Sequence, residues 1–225
     1  PLLKFKGKIV CFVITGELNF NILRKENQVE QGKCYQTYSL LDGDQINILS
    51  TNKSVYGYLA VSGGFDAELY WNSCSVNTKA KIGPNEGEKI KESDQIIISK
   101  KDQNFNYKKI DHVNSKIEYI RVIKGTNYNY FSQEAKNVFF SKEYTISKFT
   151  DRMGMRLEGP KIENIVNTNI TSEGLIKGVI QIPPDGNPII MLSDHGTIGG
   201  YPKIGVIISA DYDKLVQLTP GSKIK

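Results

Sequence analysis

The segment VIQIPPDGNPIIML, residues 179–192, contains two short apolar runs separated by a polar turn. Val179–Ile182 and Ile189–Leu192 are rich in β-branched residues and are too short for helices, so each run predicts a strand. Between them, the Asp185-Gly186 step is typical of a tight turn, because Asp and Gly accept the backbone dihedrals that such turns need. The segment therefore predicts a β-hairpin.

Similar short runs recur along the whole chain. Each run is bounded by Gly, Pro, Asn or Asp, which is typical of sandwiches or barrels rather than of alternating strands and helices. The further predicted strands are Ile9–Thr15, Ile46–Leu49, Val55–Val61, Ile96–Ser99, Ile117–Ile123 and Ile204–Ser209. Apolar residues follow a helical period in two segments, Asn129–Asn137 and Asp211–Leu218. The sequence therefore predicts a mainly β fold with few short helices.

A polar segment near the middle of the chain predicts a domain boundary. Residues 100–116 read KKDQNFNYKKIDHVNSK and have no apolar period. We place residues 1–108 in a first β domain and residues 109–225 in a second. The chain opens at Pro1 and enters a strand almost at once, so we expect the first domain to lack an N-terminal segment in this sequence.

The composition is that of a folded protein and argues against several classes. Of the 225 residues, 39% are hydrophobic, yet no apolar run approaches the ~20 residues of a membrane-spanning helix. The net charge of +5 is spread along the chain, and no arginine accompanies its densest basic patch, Lys100, Lys101, Lys108 and Lys109. We therefore expect a cytoplasmic protein that binds neither membranes nor nucleic acid.

Motifs for metals and common cofactors do not occur in the sequence. His112 and His195 lie far apart without a partner at ligand spacing, and Cys11, Cys34 and Cys74 form no C-x-x-C pair. We expect no metal site and three reduced, packed thiols. The phosphate-binding loop, the Gly-x-Gly-x-x-Gly pattern and a Met-Lys-Met segment for covalent biotin do not occur either.

Charged, glycine-rich stretches concentrate in the second predicted domain. DRMGMRLEGP, residues 151–160, carries Arg152 and Arg156, and SDHGTIGGYPKIG, residues 193–205, carries Asp194, Tyr201 and Lys203. Guanidinium groups suit carboxylate and phosphate oxygens, because they offer paired donors in one plane. The alternative is that the charges of the first stretch only pair with one another on the surface.

Two more stretches add polar side chains to this set. TSEG, residues 171–174, contributes Glu173, and the hairpin contributes Gln181 and Asp185. Asp185 can serve as a base or an orienting group if its loop lines a cleft, and otherwise it only forms a turn. Since loops on a rigid scaffold commonly build sites, we expect these groups to converge at one end of a β-barrel.

These stretches, in this order, resemble the family of the bacterial 5-oxoprolinase C-subunit, also described as the Kip antagonist protein or allophanate hydrolase subunit 2. The family includes the carboxyltransferase part of urea amidolyase. The matching motifs are DRMGMRLEGP, SEG, IQIPPDGNPII and GGYPKIGVIISADYDKLVQLTPG, with YLAVSGGFD from the first domain. The resemblance implies two cyclophilin-like β-barrel domains. It also implies a complex with two partners, a Kip inhibitor-like B-subunit and a lactam-utilisation-like A-subunit.

The resemblance further implies that the complex hydrolyses 5-oxo-L-proline to L-glutamate, with ATP bound with or by the partner subunits and no covalent biotin on this chain. At the matching positions it implies catalytic or orienting roles for Glu173, Asp185 and Asp194, and substrate binding by Arg152, Arg156, Gln181, Tyr201 and Lys203. Two family arginines are replaced, one within His195-Gly196 and one by Cys74, so their contacts are missing here.

Two alternative functions stay open. One is a biotin-dependent carboxyltransferase or allophanate hydrolase subunit 2 that acts on urea or a similar amide. The other is a non-catalytic regulator that binds a kinase-inhibitor partner.

Overall fold

The computed structural model describes residues 1–25, 28–51, 54–99, 107–111, 117, 119–166 and 169–225. The chain divides into two compact units, Pro1–Val113 and Asn114–Lys225. Lys100, Lys101 and His112 lie outside the described residues, as does most of the predicted boundary segment. Within the described ranges, no helix has the length and apolar character of a membrane span.

The first unit is built from short antiparallel strands. Its strands are β1 (Leu2–Lys4), β2 (Ile9–Thr15), β3 (Leu18–Leu23), β4 (Val29–Gln31), β5 (Thr37–Leu41), β6 (Gln45–Thr51), β7 (Tyr58–Val61), β8 (Phe65–Asp66) and β9 (Ile97–Ile98). They form sheets in the orders β1-β6-β3-β4, β5-β2-β7 and β8-β9. Alternation along β2 points Val10, Phe12 and Ile14 into a core with Phe20 and Tyr38.

The second unit contains a seven-stranded antiparallel sheet. Its elements are β10 (Val122–Lys124), α1 (Gln133–Ser141), β11 (Tyr144–Ile146), β12 (Gly154–Glu158), β13 (Glu173–Gly174), β14 (Val179–Gln181), β15 (Ile189–Met191), β16 (Ile198–Gly199), β17 (Lys203–Ile207), α2 (Ser209–Leu215) and β18 (Lys223–Ile224). The large sheet has the order β10-β17-β14-β15-β12-β11-β18, while β13 and β16 form a separate two-stranded sheet. The predicted mainly β fold with few short helices is confirmed.

The two faces of the large sheet bury different clusters. Residues directly opposite one another on neighbouring strands share a face. Ile180 and its partner Ile190 lie in the main core of the unit. Val179 and Met191 point the other way and pack with Leu175, which directly follows β13. Both faces of β14 and β15 are therefore covered, which suits their largely apolar sequence, with Gln181 as the polar exception.

A β-bulge interrupts the pairing of β14 with β17. Ile180 is the partner of Gly205 and Gln181 is the partner of Lys203, so Ile204 is an extra residue on β17. A bulge of this kind changes the direction of the side chains beside it. Ile204 stays in the main core, whereas Lys203 shares the opposite face with Gln181.

Both helices begin and end at other residues than the sequence predicts. The helix expected over Asn129–Asn137 begins only after Ser132, whose side chain accepts a hydrogen bond from the backbone of Ala135 at 3.0 Å and so caps the first turn. The predicted strand Ile204–Ser209 ends at Ile207, because Ser209 already belongs to α2. The helix expected over Asp211–Leu218 therefore starts and ends earlier along the chain.

Strand lengths in the first unit also differ from those expected. The predicted strand Ile9–Thr15 matches β2, whereas Val55–Val61 is a strand only from Tyr58 onward and Ile96–Ser99 only at Ile97–Ile98. In the second unit, the strand expected over Ile117–Ile123 forms only at Val122–Lys124, and residue 118 lies outside the described residues.

The three cysteines are free, but they differ in burial. Cys11 is buried, Cys34 is half-buried and Cys74 is exposed. The expectation of a packed thiol is therefore wrong for Cys74, which follows a tight turn at the surface and has no core to enter.

Candidate functional site

Polar side chains form a row across one face of the seven-stranded sheet. The strand register pairs Lys203 with Gln181, Gln181 with Ile189, and Ile189 with Arg156. Paired residues share a face, so all four side chains project to the same side. Neighbouring strands lie ~4.8 Å apart, which places the Cα atoms of Lys203 and Arg156 about 14 Å apart. We call Arg156, Gln181 and Lys203 the polar row.

The ammonium group at one end of the row is buried and paired. The Lys203 side chain is 4% exposed, and its Nζ donates to Oε2 of Glu173 at 3.0 Å. Glu173 itself is 43% exposed. A buried charge is tolerated only when a counter-charge and hydrogen bonds compensate it, and Glu173 supplies both. The hydrogen bond from Lys203, aided by those from Asn127 and Thr126, outweighs partial burial and lowers the pKa of Glu173.

Thr126 and Asn127 complete the surroundings of this pair, although the sequence analysis did not single them out. Thr126 Oγ1 donates to Oε2 of Glu173 at 3.3 Å, and Asn127 Nδ2 donates to Oε1 at 3.4 Å. Both residues follow Gly125, where a Cβ would lie 2.3 Å from the carbonyl oxygen of Lys203. In the sequence, the only sign of this part of the site is a glycine followed by two polar residues after a strand, and that pattern is too common to identify a site.

The middle of the row is covered by the small two-stranded sheet. Gln181 is buried, and its Nε2 donates to the carbonyl oxygen of Tyr201 at 3.3 Å. Gly199 in β16 lies directly over it, because a Cβ at this position would be 2.7 Å from Nε2 of Gln181. The Lys203 ammonium also lies 3.5 Å from the same carbonyl oxygen. Tyr201 therefore contributes its main chain to these contacts.

The other end of the row is open to solvent. The Arg156 side chain is exposed and makes no hydrogen bond or ion pair with any described residue. Asp185 lies in the loop between β14 and β15, close enough to Arg156 for the two charges to interact. An unpaired guanidinium beside a sheet face is a suitable anchor for a small anion.

Asp185 forms the tight turn that the sequence predicts. Its two carboxylate oxygens each accept a hydrogen bond of 3.0 Å from Asn187, one from the backbone and one from the side chain. Gly186 follows with a φ of 74°. Partial burial raises the pKa of Asp185, but the bonds from Asn187 and the charges of Lys161 and Arg156 outweigh it, so the pKa lies below its usual range. Asp185 is therefore ionised near neutral pH.

Arg152 and Asp194 lie at the other end of the same strands. Arg152 precedes β12, Asp194 follows β15, and the strand register pairs Gly154 with Met191 between them. Arg152 donates from Nε and Nη2 to the two oxygens of Asp194, at 2.7 Å and 3.0 Å. Residues 152 and 153 form a bend before β12, so Arg152 lies outside the strand that carries Arg156. Direct contacts thus join Glu173, Gln181, Tyr201 and Lys203. Arg156 lies on the same sheet face with Asp185 near it, whereas the Arg152–Asp194 pair lies at the opposite strand end.

The alternative that the charges of residues 151–160 only pair with one another does not describe the local contacts. Asp151 accepts hydrogen bonds from the backbone of Met153 and Gly154, and Glu158 accepts one from the hydroxyl of Ser147. Arg152 pairs with Asp194, from a different stretch. The two arginines therefore have different environments, and Arg156 is the one that is free to bind a ligand.

The arrangement suits a small ligand that carries a negative charge and an amide. It places an exposed guanidinium on the same sheet face as a buried carboxamide and a buried ammonium, with two ionised carboxylates beside them. Across the described ranges, no group of three His, Cys, Asp or Glu side chains is placed to hold a metal ion.

Comparison with known proteins gives concordant matches in sequence and in structure. A family model described as carboxyltransferase domain, subdomain A and B, matches residues 1–225. The chain is 34% identical over 201 residues to the 5-oxoprolinase C-subunit of Haemophilus influenzae, and the alignment covers 85% of this chain and 62% of the relative. It is 32% identical over 186 residues to the protein of the same name from Escherichia coli, covering 81% and 59%. The chain thus spans about three fifths of the length of these curated relatives.

A solved structure extends this likeness to the fold. The crystal structure of the Kluyveromyces lactis urea carboxylase superposes with a TM-score of 0.84 at 20% identity, covering 100% of this chain and 22% of that chain.

Proposed function

Because the chain belongs to the carboxyltransferase domain family, subdomain A and B, we propose that it is a subunit of an ATP-dependent 5-oxoprolinase complex. Such a complex hydrolyses 5-oxo-L-proline to L-glutamate. The two relatives named as 5-oxoprolinase C-subunits support this choice of substrate. The observation that carries the proposal is the polar row, which presents Arg156, Gln181 and Lys203 on one sheet face.

The substrate matches the row in charge. 5-Oxoproline is a five-membered ring that carries one carboxylate and one amide. Arg156, which is exposed, binds the carboxylate with its paired donors. Gln181 is buried beneath Gly199, so it holds the carbonyl of Tyr201 in place instead of contacting the ring. The Cα atoms of Arg156 and Lys203 lie about 14 Å apart across the sheet, which is the span over which these two residues would act on one substrate.

Lys203 acts on the lactam carbonyl in this proposal. Once ATP has phosphorylated the lactam oxygen, the negative charge lies on the phosphoryl oxygens, and a preorganised ammonium stabilises that charge without reorganising in the transition state. Water adds to the activated carbon, the ring C–N bond breaks, and hydrolysis of the resulting acyl phosphate releases inorganic phosphate. The group is already held in place by Glu173 and by the carbonyl of Tyr201. Glu173, which stays ionised, orients Lys203 and does not serve as an acid.

Asp185 is the proposed base beside the substrate. Its lowered pKa keeps it ionised near neutral pH, and its loop adjoins Arg156. It is therefore a weak base, which accepts a hydrogen bond from the attacking water and takes its proton only as that water adds to the activated carbon. Arg152 and Asp194 satisfy each other, so in this proposal they hold the ends of β12 and β15 together instead of binding substrate directly.

ATP supplies activation of the lactam oxygen by phosphorylation. In the described part of the chain, neither α1 nor α2 begins with a glycine-rich loop that would cradle phosphates. We therefore assign ATP binding to the two partners, which are the Kip inhibitor-like B-subunit and the lactam-utilisation-like A-subunit. This chain contributes the row of substrate-binding groups and carries no covalent biotin.

The proposal is tested by reconstituting the protein with both partners and measuring ATP-dependent glutamate release from 5-oxoproline. Arg156→Ala should lower kcat/KM by about 10- to 100-fold, the worth of a charge-assisted hydrogen bond. Lys142→Ala, which removes an exposed charge directly after α1, is the matched control and should leave turnover unchanged. If Arg156→Ala keeps the wild-type kcat/KM, the polar row does not bind the substrate.

A biotin-dependent carboxyltransferase is the second candidate, favoured by the family description and by the fold of the urea carboxylase. Urea carries no carboxylate, so Arg156 would then bind a carboxylated carrier or product instead of the substrate. Urea-dependent carboxyl transfer from a carboxybiotin carrier, without glutamate release from 5-oxoproline, would establish this function. Tight binding of the Kip inhibitor-like partner without either activity would favour a regulator.

A further inference from the structure

Asn127 is a buried asparagine whose side-chain oxygen and nitrogen both form hydrogen bonds within the site. The residue as a whole is 4% exposed. Its Oδ1 accepts a hydrogen bond from the backbone of Lys203 at 3.1 Å, and its Nδ2 donates to Oε1 of Glu173 at 3.4 Å. Its own backbone amide donates to the carbonyl oxygen of Lys203 at 3.3 Å. Asn127 therefore contacts both members of the Lys203–Glu173 pair.

The contact with Lys203 satisfies a backbone group that would otherwise be buried without a partner. Lys203 starts β17 beside the bulge, where the regular ladder with β14 is interrupted. A buried backbone amide needs an acceptor, and the side chain of Asn127 supplies it in place of a neighbouring strand. This contact fixes where the Lys203 side chain leaves the sheet.

The contact with Glu173 fixes the other half of the pair. Oε2 of Glu173 accepts from Lys203 and Thr126, while Oε1 accepts from Asn127. Without the asparagine, Oε1 would face solvent, and the half-exposed carboxylate would be free to rotate about its last bond. A rotating carboxylate would no longer hold the ammonium at one position in the row.

We propose that Asn127 is a positioning residue, which sets the place of the Lys203 ammonium and of the Glu173 carboxylate. It acts through these two residues and does not itself contact the substrate. The catalytic consequence rests on the proposed function, whereas the positioning of Glu173 is independent of the substrate.

Asn127→Asp separates the two contacts. The carboxylate keeps an acceptor for the backbone amide of Lys203, so the strand start is retained. Its second oxygen replaces the Nδ2 donor and faces Oε1 of Glu173, so an attractive contact becomes a repulsive one. Asn127→Ala removes both contacts. Asn137→Asp adds the same charge at an exposed position of α1 and is the matched control.

The first measurement is a carbon-13 NMR titration of the Glu173 side chain in the protein alone. Asn127→Asp should raise the pKa of Glu173 by one unit or more relative to wild type, because a like charge disfavours the ionised form. Asn127→Ala should raise it less, and Asn137→Asp should leave it unchanged. An unaltered Glu173 titration in folded Asn127→Asp would overturn the proposal.

The second measurement is glutamate release by the reconstituted complex. Asn127→Asp should lower kcat by about 10- to 100-fold while KM changes less than threefold, since the variant disturbs Lys203 and leaves Arg156 intact. If the NMR shift appears but wild-type complex releases no glutamate, the proposed function fails and the positioning role stands. If wild-type complex is active and Asn127→Asp retains full kcat, the positioning role fails.

Discussion

Replacing Asp211 with asparagine should destabilise the second unit by about 2 kcal/mol at neutral pH. Asp211 lies in the first turn of α2 and is 7% exposed. It accepts hydrogen bonds from the backbone, Nε and Nη2 of Arg121, at 2.9, 3.0 and 2.7 Å. The bonds from Arg121 lower the pKa of Asp211 from 3.8 to about 2. At 1.36 kcal/mol per pKa unit, this difference corresponds to about 2 kcal/mol of stability.

The pH dependence follows from the direction of the shift. Because the folded state holds the carboxylate ionised, the stabilisation is fully present above the unfolded pKa of 3.8 and is lost as the pH falls toward about 2. About 1 kcal/mol of it should already be lost at pH 3. Urea unfolding followed by far-UV circular dichroism at pH 7 and pH 3 measures both values.

Asp213→Asn is the matched control for this experiment. Asp213 lies in the same helix, but it is exposed and its side chain makes no hydrogen bond to a described residue. We expect it to change the free energy of unfolding by less than about 0.5 kcal/mol. The reasoning is refuted if Asp211→Asn costs no more than this control, or if its cost is the same at pH 3 as at pH 7.

Three further substitutions test other contacts. The hydroxyl of Tyr144 is buried without a partner among the described residues, and burial raises its pKa to about 12. Tyr144→Phe should therefore increase the free energy of unfolding by about 1 kcal/mol at pH 7. Wild type should lose stability between pH 10 and pH 12, and the variant should not show this loss, as urea unfolding at pH 10 and pH 12 will show. Glu173→Gln leaves the buried ammonium of Lys203 without its counter-charge and should lower the free energy of unfolding by about 1–3 kcal/mol. The loss is smaller than for a fully buried pair because the carboxylate is half-exposed. A double-mutant cycle with Lys203→Met measures the coupling energy of the pair, and a value near zero would contradict the pairing. Gly199→Ala places a methyl 2.7 Å from the amide nitrogen of the buried glutamine in the row and should lower both thermal stability and glutamate release, whereas Gly174→Ala in the same small sheet meets no atom within 4 Å and should not.

The two strands of the hairpin could be predicted because their information is local. Val179–Ile182 and Ile189–Leu192 are short β-branched runs, and the turn between them needs the left-handed conformation that Gly186 adopts. The membership of Gln181 and Asp185 in one region follows directly from this hairpin. These parts of the site required no knowledge of distant contacts.

The burial of Lys203 could not be predicted in the same way. A lysine at the start of an apolar strand normally keeps its charge in solvent, so the pattern KIGVI indicates an exposed strand end. Its burial depends on Glu173, which lies 30 residues earlier, and on Asn127, which lies 76 residues earlier. Such partners are brought together by the sheet order, which the local pattern does not contain.

The positions of Arg152 and Arg156 illustrate a second limit. Both flank Gly154 in one stretch, so the sequence groups them together. Only Arg156 belongs to β12, where the register with β15 assigns it to the polar row, whereas Arg152 precedes the strand at its other end. Only the pairing of strands decides which end of a strand faces a site.

The β-bulge at Ile204 makes the site sensitive to chain length more than to side-chain identity. Deleting one residue between Gly199 and Lys203, or inserting one, would shift the alternation of β17 by a single position. The isoleucine would then point toward the glutamine of the row, and the ammonium would enter the apolar core. Functional relatives are therefore expected to vary in amino acid here while conserving the number of residues, so gaps in a future alignment of this segment would mark chains that have lost the site.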